Sequence, residues 1–236
     1  MAEAQKRATI DKDHYVGDPE FVDVPLARLL GIDHAKATAA AIRAGEQIRI
    51  ERLGAEPQDT TTVHVMDRWG NVASMTHSLG SPSGVISPGL GFMYNGCMAV
   101  FDPRPGRTGS IAPGKSRFAS MAPCIGFRGG APFLSIGAPG GTHITLSIAQ
   151  VISNLVDFEM SMLEAVCAPR ISAATGAIEV SNRIPEYVTD ALETMGYRVK
   201  RSHQGYAFAA VHGVLRQDGR LSGGADPQRD GMALLV

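Results

Sequence analysis

The sequence predicts an α+β fold in which helices cover sheets. Three observations predict it: a strand hairpin begins near residue 60, apolar residues recur at helical spacing between residues 145 and 158, and extended segments return between residues 197 and 216. Strands that precede and follow a group of helices are typical of layered architectures. A hydrophobic content of 44% in 236 residues is enough to enclose a core.

Upstream of residue 60 the chain is polar and rich in alanine. Residues 35–52 are good helix formers that follow Asp33, a candidate N-cap, so we expect a helix that ends at Leu53 and Gly54. Residues 54–59 predict an exposed linker. The chain therefore divides into segments 1–59 and 60–236.

The hairpin is the first element after this boundary. Residues 61–67 and 72–78 predict two strands joined by a turn, and residues 121–127 and 132–138 predict a second pair. Between the pairs, residues 80–113 are rich in Gly and Pro and show few periodic segments. Because loops this long are usually functional, we expect this passage to line a substrate site.

The helices follow the second strand pair. In residues 145–158, one wide apolar face predicts a core helix, and its members are Leu146, Ile148, Ala149, Ile152, Leu155 and Val156. Ser161 and Glu164 predict a capping box for a helix that ends before Pro169. A third helix is expected over residues 185–196. Strands at 197–202 and 208–216, then a turn at 218–219, complete the prediction.

Charge and cysteine content argue against several classes of protein. With 22 basic and 23 acidic residues, the formal net charge of -1 gives no field that would attract nucleic acid or an anionic membrane. Residues 1–18 lack the apolar core of a signal peptide, and no apolar run would span a bilayer. We expect a soluble cytoplasmic protein, or a periplasmic one if an export signal precedes residue 1. The cysteines, Cys97, Cys124 and Cys167, lack the close pairing of a zinc site, so we expect reduced, mostly buried thiols.

Thr60 is the candidate nucleophile. A hydroxyl needs a base beside it, and the α-amino group of an N-terminal threonine, which titrates near pH 8, can supply one. That chemistry requires the bond between Asp59 and Thr60 to be cut, where a linker meets a strand. Threonines at a strand start are equally typical of β-propensity alone.

Residues 137–141 (GAPGG), between a strand and the core helix, form a candidate oxyanion site. Consecutive glycines let two backbone N–H groups point at one developing negative charge, and the helix N-terminus adds a favourable dipole. A tight turn without chemistry has the same composition. The glycine spacing does not fit a dinucleotide site and the histidines lack metal-ligand spacing, so we expect no cofactor and no metal. His77, beside Ser78, is a candidate pocket-lining group.

An ordered set of motifs resembles the gamma-glutamyltranspeptidase family. The motifs are Thr60–Thr61, Val65–Asp67, Gly70–Asn71, Thr76–Leu79, Pro113–Lys115, Ser120–Pro123, Pro139–Gly141, Ala168–Arg170 and Gly224–Pro227. The resemblance covers residues 60–236. It extends upstream, where residues 15–19 and 21–25 look like the tail of the family's larger, N-terminal piece.

The resemblance implies a four-layer αββα N-terminal-nucleophile hydrolase fold, made as a proenzyme that cuts itself between Asp59 and Thr60. It implies that Thr60 is the nucleophile, that Ser78 hydrogen-bonds it, and that Gly140 and Gly141 form the oxyanion hole. It also implies a small-molecule amide substrate and a larger N-terminal part, upstream or in a partner chain, that completes the fold.

The positions that grip a gamma-glutamyl group in this family correspond here to five residues, of which only Ser120 keeps a side chain suited to donate: Gly80, Cys97, Val100, Ala119 and Ser120. Without two acidic groups, an α-ammonium would be buried without counter-charges, which is costly. We therefore predict an amidohydrolase or acyltransferase that acts on an amide of another small carboxylic acid.

Two alternatives to this prediction stay open. One is a true gamma-glutamyltransferase or glutathione hydrolase, and the other is a non-catalytic family fragment that acts as a binding or structural module. Lys115 and Arg117 are either candidate partners of a substrate carboxylate or solvated surface charges.

Overall fold

The computed structural model describes residues 1–50 and 59–236, where the chain is mixed α/β. The α-helices are α1 (Ala2–Tyr15), α2 (Leu26–Leu29), α3 (Ile32–Arg43), α4 (Ile144–Val156), α5 (Met162–Cys167) and α6 (Glu186–Thr194). The strands are β1 (Asp59–Met66), β2 (Val72–Gly80), β3 (Pro82–Ile86), β4 (Met93–Asn95), β5 (Cys124–Arg128), β6 (Ala131–Gly137), β7 (Ile171–Ser172), β8 (Ile178–Val180), β9 (Val199–Arg201), β10 (His212–Gln217) and β11 (Arg220–Ala225). No helix within these described ranges is long and apolar enough to cross a membrane.

The upstream helix is shorter than predicted. α3 begins after Gly31, so Asp33 lies inside its first turn and is not the N-cap. It ends at Arg43 in a Schellman motif: Gly45 has φ 80°, its N–H donates to Ile42 O, and the Glu46 N–H donates to Ala41 O. The predicted end at Leu53 and Gly54 lies outside the described residues.

The polar face of α1 holds the non-helical segment after α3. Glu3 Oε2 accepts the Ile48 N–H (3.2 Å), and Lys6 Nζ donates to Ile48 O (3.2 Å). Glu3 and Lys6 are themselves buried and paired. α1 was not predicted, because its buried face is polar and gives no apolar stripe.

The first hairpin agrees with the prediction. β1 and β2 pair antiparallel, with Thr60 opposite Ser78 and His64 opposite Ser74. Side chains of a strand alternate between faces, and here the even-numbered residues of both strands point inward. The outward face carries Val63, Val65 and Met75, which are 49%, 55% and 57% exposed.

A four-stranded sheet in the order β11-β10-β6-β5 lies between the hairpin and the helices. β1 and β2 pack on one face, against β6 and β10. α4 and α5 pack on the other face, where Leu134 and Ile136 join a buried core with Val151 and Val166. The three observed layers are therefore hairpin, sheet and helices.

The core helix was predicted within two residues of its observed bounds, but its buried face is narrower than predicted. Ile148, Val151 and Leu155 are buried, whereas Ala149 and Val156 are exposed. The capping box of α5 is present: Ser161 Oγ accepts the Glu164 N–H, and Glu164 accepts the Ser161 N–H. The second strand pair and the turn at 218–219 were also predicted correctly.

The predicted strand at 208–216 includes residues 208–211, yet β10 begins only at His212. Phe208 has φ 77°, a left-handed conformation that interrupts an extended strand. The third predicted helix corresponds to α6, which Pro185 caps and after which Gly196 turns the chain with φ 87°. The three cysteines are free, as predicted, but half-buried.

Candidate active site

Thr60, the candidate nucleophile, is the first inward-facing residue of β1. Only 9% of it is exposed. Its Oγ1 lies 2.8 Å from Ser78 Oγ, a hydrogen bond in which either hydroxyl can donate. The register of the hairpin places the two residues directly opposite each other, so the predicted contact between Thr60 and Ser78 is present.

The end of β2 restrains Ser78. The Gly80 N–H donates to Ser78 Oγ (2.9 Å), and Gly80 lies opposite Asp59 in the strand register. The Asp59–Thr60 bond thus lies where the hairpin begins. Residues 54–58 of the predicted linker lie outside the described part of the chain.

The direction of packing leads from Thr60 to the glycine turn. His64 Nδ1 lies 3.1 Å from Ser135 Oγ, and a Cβ atom added at Gly137 would lie 2.8 Å from Thr62 Oγ1. β1 and β6 therefore run in opposite directions where they pack, so residues nearer the start of β1 lie against residues nearer the end of β6. Two residues further, Thr60 is aligned with the turn that follows β6, so the candidate nucleophile and the candidate oxyanion glycines lie at the same end of the packed strands.

The glycine turn requires glycine. Gly140 has φ 140° and Gly141 has φ 59°. A Cβ atom at Gly140 would lie 2.5 Å from Ala209 Cα, which no side chain could tolerate. A short 3-10 helix, Gly141–His143, runs straight into α4. The N–H groups of a first helical turn have no acceptor within the helix, so they are available to a developing negative charge.

A polar network separates the hairpin from the sheet beneath Thr60. His64 Nε2 lies 2.8 Å from Thr62 Oγ1, and His64 Nδ1 lies 3.0 Å from Ser74 Oγ. Thr62 also lies 3.2 Å from Thr76 Oγ1. Burial, together with the nearby His212, lowers the pKa of His64 to about 4. The imidazole is therefore neutral at physiological pH.

His77 does not line the site. It alternates with Ser78 and lies on the exposed outward face of β2, so the prediction that it lines a pocket is wrong. Strand alternation was sufficient to show this from the sequence.

The five predicted substrate positions lie at the end of β2, in the 3-10 helix Cys97–Val100 and in the loop before β5. A Cβ atom at Gly80 would lie 3.0 Å from Cys97 Sγ. Val100 follows Cys97 by three residues in the 3-10 helix Cys97–Val100, so the two share a face. Ser120 is buried, and its neighbour Ala119 is exposed. None of the five carries a charge.

Lys115 and Arg117, the candidate partners of a substrate carboxylate, contact other groups of the protein. Lys115 Nζ lies 5.6 Å from the centre of the Phe21 ring, and Arg117 donates to Phe118 O (2.8 Å). Across residues 1–50 and 59–236, no group of three or more His, Cys, Asp or Glu side chains is arranged to hold a metal ion.

The sequence and the fold of this chain are similar to those of several known proteins. The family model described as Gamma-glutamyltranspeptidase matches residues 1–236. The chain is 40% identical over 242 residues to the Acylase ACY 1 proenzyme of Pseudomonas sp. (strain V22), covering 100% of this chain and 43% of that protein. It is 34% identical over 256 residues to the Glutathione hydrolase proenzyme of Pseudomonas aeruginosa, covering 100% and 45%. A cephalosporin acylase structure from Bacillus halodurans superposes with a TM-score of 0.83 at 26% identity, covering 98% of this chain and 43% of that one.

This chain belongs to the gamma-glutamyltranspeptidase family. It spans less than half the length of the curated relatives described above.

Proposed function

We propose that this chain carries the nucleophile part of a self-processing N-terminal-threonine amidohydrolase or acyltransferase, divided into segments 1–59 and 60–236. The observation that carries the proposal is Thr60, buried at the start of β1 with its hydroxyl 2.8 Å from Ser78 Oγ and aligned with the Gly140–Gly141 turn. Both relatives compared above are named as proenzymes, which supports cleavage between Asp59 and Thr60.

The reaction has two steps. The new α-amine of Thr60 takes the proton of the Thr60 hydroxyl, and Oγ1 attacks the amide carbonyl to form an ester as the C–N bond breaks. The amine passes the proton to the leaving nitrogen. Gly140 and Gly141 N–H groups stabilise the oxyanion, and Ser78 orients Oγ1. Water, or an acceptor amine in a transferase, then attacks the ester, releases the acyl product and restores the Thr60 hydroxyl.

The neutral lining at Gly80, Cys97, Val100, Ala119 and Ser120 favours an acyl group without an α-ammonium. A buried ammonium with no carboxylate beside it would lose its hydration and gain no counter-charge. The similarity to an acylase supports an amide of another small carboxylic acid as the substrate. The similarity to a glutathione hydrolase keeps a gamma-glutamyl amide as the second candidate.

A larger upstream part, in the same proenzyme or in a partner chain, would complete a four-layer αββα arrangement. Val63, Val65 and Met75 leave the outward face of the hairpin apolar and exposed. Contiguous exposed apolar surface usually marks an interface. The chain spans 43% to 45% of its two relatives, which leaves ample sequence to cover that face.

The first test is intact mass and N-terminal sequencing of the purified protein. A new chain that begins at Thr60 is expected, and Thr60→Ala should abolish both cleavage and turnover. Thr61→Ala is the matched control, because Thr61 is exposed on the opposite face of β1. Amidase activity that persists in Thr60→Ala would refute the assignment.

Substrate class is tested on the processed protein with a gamma-glutamyl anilide and simple acyl anilides. Faster turnover of the acyl anilides supports the neutral acyl site. Faster turnover of the gamma-glutamyl compound would establish the second candidate. No cleavage and no turnover would favour a non-catalytic fragment.

A further inference from the structure

We propose that Arg170 and Asp226 are positioning residues for the Gly140–Gly141 turn, and that they act through the buried segment 207–211, called here the support segment. The inference rests on the proposed function, because it assigns a role in holding the oxyanion donors. Both residues are distant in sequence from the predicted substrate positions. Each acts on the turn through the backbone of the support segment.

The support segment lies directly against the turn. Ala209 is in contact with Gly140, at a separation that leaves no room for a Cβ atom on the glycine. The Ala210 N–H donates to Pro139 O (3.1 Å). A shift of Ala209 and Ala210 would therefore move Pro139 and Gly140, and the direction of the Gly140 N–H would change with them.

Arg170 holds the support segment from the opposite side. Its guanidinium donates to Ala209 O (3.1 Å) and to Val166 O (2.7 Å), and it pairs with the Asp226 carboxylate. Arg170 is 3% exposed and Asp226 is 0% exposed. One cation thus connects the support segment to α5 and to the segment that follows β11.

Asp226 holds the support segment by a second route. Its Oδ1 accepts the Gln228 N–H (2.9 Å), and Gln228 Nε2 donates to Phe208 O (3.1 Å). Asp226 therefore fixes the carbonyl groups of two successive residues. Arg170, its ion-pair partner, holds the Ala209 carbonyl, and Gln228 holds the Phe208 carbonyl.

The backbone of the support segment is strained at Phe208. Phe208 has φ 77°, a conformation that a residue with a large side chain adopts at a cost and that persists only where the surroundings enforce it. The Phe208 ring lies 5.3 Å, centre to centre, from the ring of His143, in the 3-10 helix that follows Gly140. The support segment consequently contacts the turn before Gly140 and the helix after Gly141.

A buried ion pair is a poor way to gain stability, because desolvation offsets much of the attraction between the charges. It does fix two groups in one geometry. Since an oxyanion site loses function when its donors shift, we infer that this pair maintains the direction of the turn amides. A purely structural pair would affect folding and leave the turnover of the folded protein unchanged.

The test uses the full-length proenzyme with variants Gln228→Leu and Asp226→Asn, assayed per mole of processed chain. Gln228→Leu removes one hydrogen bond from a half-buried side chain, so it keeps the inference testable if Asp226→Asn fails to fold. The matched control is Gln47→Leu. Gln47 Nε2 donates to a backbone carbonyl of a distant segment, Met195 O (2.7 Å), as Gln228 Nε2 does to Phe208 O, but Met195 belongs neither to the glycine turn nor to the support segment.

We expect kcat to fall by about tenfold in Gln228→Leu and about a hundredfold in Asp226→Asn, with KM nearly unchanged. Gln47→Leu should leave kcat unaltered. An unaltered kcat in Gln228→Leu as well, whatever its melting temperature, would overturn the positioning role. A parent protein that is neither processed nor active would refute the proposed function itself, and this inference with it.

Discussion

His64 makes the stability of the hairpin depend on pH. Burial lowers the pKa of His64 in the folded protein to about 4, against an ordinary value of 6.5. Between those values the unfolded chain binds a proton at this position and the folded chain does not. Stability is therefore complete above about pH 6.5 and is lost progressively as the pH falls towards about 4.

The magnitude follows from the difference between the two pKa values. Each tenfold change in proton affinity is worth about 1.4 kcal/mol. The difference in pKa therefore limits the loss of unfolding free energy to about 3 kcal/mol at most. Because the ring is only partly buried, solvent screening reduces this limit, and we expect about 2 kcal/mol. Burial also lowers the pKa of His143 and His212, which adds loss of the same sign.

The assay is urea unfolding at several values between pH 4 and pH 7, for the parent protein and for His64→Gln. Glutamine keeps a polar side chain and cannot titrate, so the variant should lose part of the pH dependence while His143 and His212 retain theirs. His77→Gln is the matched control, since His77 lies on the exposed face of β2. An unchanged pH dependence in His64→Gln would refute the proposal that buried His64 opposes protonation.

Two further substitutions test the packing and the substrate positions. Gly137→Ala places a methyl group 2.8 Å from Thr62 Oγ1, so it should destabilise the protein by about 1 to 3 kcal/mol and slow self-cleavage; an unchanged urea midpoint would show that the hairpin packs loosely. Cys97→Asp adds a carboxylate beside Gly80 and should raise the ratio of gamma-glutamyl to simple acyl turnover about tenfold. Met98→Asp, on an exposed residue of the same 3-10 helix, should leave that ratio unchanged.

Local sequence signals predicted the local structure well. The β1–β2 hairpin and the Ser161–Glu164 capping box depend on residues a few positions apart, and both are confirmed. The helix predicted over residues 35–52 is too long because helix propensity was allowed to outweigh a stop signal. Gly45 supplied that signal, and Glu3 and Lys6 hydrogen-bond the backbone of Ile48 beyond it.

Polar packing was the main source of structure that the sequence did not predict. α1 buries Glu3, Gln5, Lys6 and Thr9, a pattern that resembles an exposed helix when only hydrophobicity is considered. The network around His64 likewise places hydroxyls between two sheets, where apolar residues would be expected. Thr62, His64, Ser74 and Thr76 bond one another, and Glu3 pairs with Lys6, which allows their burial. Because the partners come from different strands, no short window of sequence contains the whole network.

In the candidate oxyanion site, the sequence shows the glycines but does not show the contacts that fix their direction. Two adjacent glycines are visible in the sequence because the site uses backbone N–H groups, which need no particular side chain. Their direction is set elsewhere: Arg170 and Asp226 are 56 positions apart, and the support segment they hold is separated from the turn by the whole of α4, α5 and α6. An Arg and an Asp that are each almost fully buried must be paired. Two charged residues beside apolar motifs, Ala168–Pro169 and Gly224–Ala225, were therefore a usable signal for an ion pair. The Ala209 contact with Gly140, which gives that pair its proposed role, was available only from the fold.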